Sequence, residues 1–207
     1  MIRFLICVLI FVCSLSCIGK DNPMPLQSGE YGEFLGIVSY DGKLYGQFEY
    51  YDRWNEDIGS FENTCKFYFY GEVKSNDTIF LKVGLPGIET AKGKIVFHRN
   101  DSITLYTDFS SGYMLVDLEN EGYSAKLSKK EEDVIALGVV RDEKCYFYNN
   151  PSETAITKAY IINRDFVSIL QRKDQWLQIK YVSPVNGKKF IKWIKSSALY
   201  DKDPENW

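Results

Sequence analysis

Between Tyr31 and Leu127 the chain is cut into apolar and aromatic runs of five to nine residues by short turn-forming sequences. Asp41-Gly42 separates Phe34–Tyr40 from Lys43–Tyr51, a two-residue hairpin signal because both turn positions favour left-handed backbone. Ser75-Asn76-Asp77 divides Cys65–Val73 from Thr78–Val83, and Asn100-Asp101 divides Lys94–His98 from Ile103–Thr107. Tyr113–Leu118 and Tyr123–Leu127 complete the series, while Arg53–Thr64 and Leu85–Gly93 read as loops. Within Cys65–Val73, Cys65, Phe67 and Phe69 alternate with Lys66, Tyr68 and Tyr70, which predicts a strand with one wet side. Runs this short are too brief for helices, and thirteen Phe, fifteen Tyr and four Trp suit a pleated surface. Residues 31–127 are therefore expected to form an antiparallel β-barrel or sandwich in an all-β chain.

Ser128–Asp133 interrupts the pattern. Serine followed three residues later by Glu131 has the form of a capping box, so a helical turn is expected in a solvated connector over 128–133. A second β unit follows over 134–200, and 201–207 read as a loose polar tail. Charge is unevenly divided. From Tyr146 to Trp207 there are ten Lys and Arg against six Asp and Glu, whereas the rest of the chain holds fifteen against twenty-two. A basic unit beside an acidic one, or a basic face for an anionic partner, both follow from this.

The second unit has a recognisable order. Cys145–Tyr148 leads to Pro151, Tyr160–Leu170 enters a tight turn, Trp176 opens QWLQIKY, and Asn186-Gly187 marks a hairpin before Trp193, Ile194 and Leu199. This order resembles a bacterial SH3-like barrel, with Arg164 and Lys192 standing where the family usually has glycine. The resemblance implies a small β-barrel that binds ligands through wall aromatics. It implies a ligand-facing role for Tyr146 and Tyr148, on one strand face, whereas Phe147, Trp176 and Trp193 are expected to be core.

The N-terminus reads as an export signal over 1–17: Arg3, an apolar run from Phe4 to Val12, then small residues. The run is shorter than the roughly 20 residues a membrane-spanning helix requires. Ser16-Cys17 in SLSC resembles a bacterial lipoprotein box, although Ser14 stands where an aliphatic residue is usual. With lipidation at Cys17, residues 18–30 would form a tether between the membrane anchor and the first strand; simple cleavage after Ser16 or Gly19 is the alternative. A secreted eukaryotic chain would instead offer Asn76 and Asn100 as glycosylation acceptors. Cys7 and Cys13 fall inside the apolar run, which leaves Cys65 and Cys145 as a disulfide or as two buried thiols.

Little supports chemistry. His98 is the sole histidine, and nothing around Cys65 or Cys145 has the form of a cysteine–histidine site. One His and two distant Cys do not make a zinc site, and no phosphate or calcium loop is present, so no cofactor or metal is expected. Glu49, Asp52, Glu56 and Asp57 cluster in sequence around Trp54, a pattern suited to glycan binding or, more distantly, glycan hydrolysis. An exported, mildly acidic chain is not a nucleic-acid binder. The expectation is a non-enzymatic, membrane-anchored envelope protein that binds peptide, peptidoglycan or an envelope protein. The alternative is an immunity or inhibitor protein that blocks a toxin or wall hydrolase.

Overall fold

The computed structural model describes residues 26–74, 77–88, 90–98, 100–109 and 117–206. The export signal, Cys17, most of the tether and residues 113–116 of one expected strand lie outside the described residues. The fold is all-β and consists of an eight-stranded antiparallel barrel and a second antiparallel sheet.

The barrel comprises β1 (Gly29–Tyr31), β2 (Leu35–Tyr40), β3 (Lys43–Asn55), β4 (Ser60–Glu72), β5 (Thr78–Gly84), β6 (Ala91–His98), β7 (Ser102–Thr107) and β8 (Tyr123–Lys130). Each strand pairs with the next, and β1 closes on β8. Asp41 and Gly42 both take positive φ, as do Asn100 and Asp101, which turns these hairpins as their sequences predict. Eight strands leave an interior just wide enough to be filled by side chains. Cross-strand pairs Phe48↔Phe67, Gly46↔Phe69, Phe69↔Val83 and Ile95↔Leu105 build that filling. The rings of Phe48 and Phe67 stack at 5.1 Å, and Phe34 and Tyr123 close around Phe48.

Two expected loops are otherwise. Arg53–Thr64 is the distal half of a long β3–β4 hairpin whose register continues to Asn55↔Ser60. Arg53 itself takes a left-handed φ of 51°, which interrupts the ladder once. In the second case, β1 lies partly in the sequence read as tether.

The second unit contains β9 (Ala136–Val139), β10 (Lys144–Tyr148), β11 (Ile156–Ile162), β12 (Phe166–Lys173), β13 (Trp176–Val182) and β14 (Lys189–Lys195), hydrogen-bonded in the order β11-β10-β14-β13-β12-β9. A 3-10 turn over Ser196–Ala198 follows β14, and Val140 bridges Leu199. Arg164 adopts a φ of 67°, the left-handed geometry a glycine would supply without strain. Its N–H donates to Val140 O, and its own carbonyl accepts from Lys66 Nζ, so both sides of the strained peptide are held.

The two units share one continuous hydrophobic core. Outward-facing Val38, Tyr45 and Tyr68 on β2–β4 are buried where Leu137, Val139, Ile169 and Leu199 approach. The side of β4 expected to be wet is therefore an internal seam, because a second sheet covers it. The connector departs from expectation too. Ser128 lies in β8 and donates to the carbonyls of Glu30 and Gly32, so no helical turn forms. Glu131 pairs with Lys180 of β13 and with Lys129, tying the units together. The expected loose tail folds back: Pro204 is buried, and Lys82 binds Asp203 at 2.7 Å and Glu205 at 2.8 Å.

Candidate functional site

Tyr146 and Tyr148, expected to face a ligand together, are separated by an irregularity in the β10–β11 register. Tyr148 is buried, its ring edge-on to Trp176 at 4.7 Å, and belongs to the core. Phe147 is buried as well and stacks on Phe190. Tyr146 stays 38% exposed and meets Tyr160, 44% exposed, in an edge contact at 5.6 Å. Their pairing across the strands, with Lys144 opposite Ile162, places all four on one face. Ile156 pairs with Tyr148 further along the same two strands, and Lys158 is exposed in the bulge between Ile156 and Tyr160. Lys144 Nζ sits 5.2 Å from the centre of the Tyr160 ring. The result is an exposed wall of apolar surface carrying two cations. Sequence reasoning singled out Tyr146 but missed Tyr160, Ile156 and Ile162. Apolar residues on both faces of ITKAYII read as a strand covered on both sides, so the sequence held no signal for their exposure.

Trp54 lies on the projecting β3–β4 hairpin and is 40% exposed. Its ring packs edge-on against Phe61, which also meets Tyr51, and Ile58 at the tip is exposed. The nearby carboxylates do not converge on it. Asp52 accepts from Arg53 Nε and Asn63 Nδ2, both at 3.2 Å. Glu49 is three residues from Asp52, hence on the opposite side of the strand. Its carboxylate accepts from Tyr51 at 2.6 Å and Gln47 at 3.1 Å.

Glu49 belongs instead to a polar cluster in the seam between the units, a feature the sequence did not reveal. Lys66 is its cross-strand partner and donates to Arg164 O. Asp165 accepts from the Ile162 N–H at 2.9 Å and from the Tyr181 hydroxyl. Burial pushes the Glu49 carboxyl above the usual range, and the charge of Asp165 adds to this against the opposing pull of Tyr51 and Lys66. Burial likewise raises Asp165, although the Ile162 N–H, Lys66 and Tyr181 act the other way. Both folded-state values exceed the unfolded ones, so the native protein holds these protons more tightly. Stability is accordingly lost as pH rises from the ordinary carboxylate range through the raised values. Thermal unfolding of Glu49→Gln at about pH 5 and about pH 8 is expected to show a smaller loss on raising pH than the parent protein. An unchanged slope would remove Glu49 from the seam's titration.

The remaining residues are readily placed. Cys65 and Cys145 are both buried and form no disulfide, and burial pushes the Cys145 thiol up to about 12, so the expected choice falls on two separate thiols. His98 is exposed on β6, its Nε2 2.8 Å from Thr104 Oγ1, which in turn contacts Ser124 Oγ at 2.8 Å. Among the described residues no group of three or more His, Cys, Asp or Glu is placed to hold a metal ion. Among the same residues, no helix is long and apolar enough to cross a membrane.

Comparison with protein-family models, with curated proteins and with solved structures gave no match.

Proposed function

We propose that this chain is a non-enzymatic binding protein of the bacterial cell envelope, exported and lipid-anchored through Cys17. Its SH3-like second unit binds peptide, peptidoglycan or an envelope protein. The observation that carries this reading is the β10–β11 wall, where Tyr146, Tyr160, Ile156 and Ile162 are exposed beside Lys144 and Lys158. Exposed apolar area of this kind, contiguous and rimmed by polar groups, is what interaction sites present. The separation of Glu49 from Asp52 favours binding over glycan hydrolysis, which needs two carboxylates flanking one bond.

Co-sedimentation with purified peptidoglycan sacculi and affinity capture from solubilised envelope test it. Retention is expected for the parent protein and is expected to fall about tenfold for Tyr146→Ala/Tyr160→Ala, equivalent to about 1.4 kcal/mol. A parent protein left wholly in the unbound fraction in both assays would sink the reading.

The β3–β4 hairpin supports a second reading, an immunity or inhibitor protein. Trp54 and Ile58 are exposed at its end among Asp52, Glu56, Asp57 and Glu62, an apolar wedge with an acidic rim suited to a basic cleft.

A further inference from the structure

We propose that β11 accepts a seventh strand, supplied by an extended peptide that carries carboxylates. This rests on the binding reading above and narrows its ligand to one chemistry and one mode. Among the described strands, β11 is hydrogen-bonded to β10 alone, whereas β9, at the other end of the sheet, lies against β2 and β3 of the barrel. The sheet thus offers one open edge. Proteins usually blunt such edges with proline, bulges, several lysines or short length. Here the edge runs for seven residues with a single charge, Lys158, and no proline; its one irregularity is the bulge over 157–159, where β11 advances four residues against two of β10.

The edge has a defined end. Ile162 N–H donates to Asp165 Oδ2, and Asp165 N–H donates to Ile162 O at 3.0 Å, so the backbone groups of Ile162 are used within the turn. An added strand therefore pairs within Ile156–Ile161. Along that stretch, main-chain hydrogen bonds hold the peptide, and the side chains of Ile156, Lys158 and Tyr160 meet every second residue of it.

Charge selects the occupant. β10 and β11 together contain Lys144 and Lys158 and no carboxylate. Residues 141–200 hold eleven Lys and Arg against five Asp and Glu. Two copies of this unit meeting edge to edge would bring like charges together. A peptide with carboxylates beside Lys158 gains a cross-strand pair and is steered toward the site.

The test uses the full chain and a fluorescent peptide of about eight residues alternating valine and glutamate. Two companions are needed: a valine–lysine peptide, and the valine–glutamate peptide N-methylated at alternate residues. Binding is expected for the valine–glutamate peptide alone, weakening as salt rises. Lys158→Glu, an exposed change, is expected to weaken that binding at least tenfold and to admit the valine–lysine peptide. Equal affinity for the N-methylated and parent peptides would overturn strand addition, because main-chain bonds would then contribute nothing. A concentration-dependent dimer in sedimentation that excludes the peptide would also overturn it, assigning the edge to a second copy. Loss of sacculus and envelope binding in Tyr146→Ala/Tyr160→Ala, with no discrimination between those two peptides, leaves the binding reading standing and removes strand addition alone.

Discussion

Tyr68→Ala is expected to lower stability by about 4 kcal/mol, in line with truncating a fully buried aromatic ring. Tyr68 is only 1% exposed, although it projects outward from the barrel wall. It lies in the seam near Tyr45, Leu137, Val139, Leu177 and Leu199. The truncation removes contacts from both units at once, so the loss is expected to appear in the unfolding of each. For a chain of this size the midpoint should fall by about 10 °C. Calorimetry measures it directly. A single cooperative transition is expected for the parent protein, and a split or broadened one for the variant. A loss below about 1 kcal/mol would mean that the seam is a loose contact between independent domains.

Gly46→Ala is the second large effect, and it acts from inside the barrel. A Cβ at Gly46 would lie 1.9 Å from two ring carbons of Phe69, which is itself fully buried. The Gly46↔Phe69 pair places a ring over a bare backbone, and nothing in the packed interior gives it another position. Overpacking of this sort costs about 1–3 kcal/mol, and the upper end is expected here. Chemical denaturation of Gly46→Ala beside Gly36→Ala isolates the effect. Position 36 faces outward, where its Cβ would meet the flexible Gln47 side chain at 3.3 Å. Equal losses at the two positions would contradict the inward packing of Phe69.

Much of this architecture was legible in the residues because alternation and turn chemistry are local. Asp41-Gly42 and Asn100-Asp101 made their hairpins from backbone preference alone. What the sequence concealed depends on contacts between distant segments. Lys66, Tyr68 and Tyr70 have the composition of a solvated strand face, and only the second sheet and the returning C-terminal segment bury that side. Arg53–Thr64 looked like a loop because its residues are polar, yet hairpin register needs only backbone pairing. Ser128 and Glu131 have capping-box spacing, but their side chains are taken by carbonyls of β1 and the turn after it and by Lys180. Arg164 is the reverse case: the residue type argued against a left-handed turn, and packing from Val140 and Lys66 imposes it. In the candidate site, Tyr146 was readable from strand parity. The burial of Tyr148 was not, because it comes from Trp176 of β13 and from pairing with Trp193 of β14, both distant in sequence.

The two proposed binding surfaces, the β10–β11 wall and the Trp54 hairpin, lie in different units. Hydrogen exchange with and without saturating sacculus fragments, or captured envelope partner, distinguishes them most directly. Slowed exchange over 144–148 and 156–162, with the hairpin from Trp54 to Phe61 unchanged, is the predicted result. Protection confined to the hairpin, with β11 exchanging as freely as before, would contradict the assignment of the wall as the binding surface.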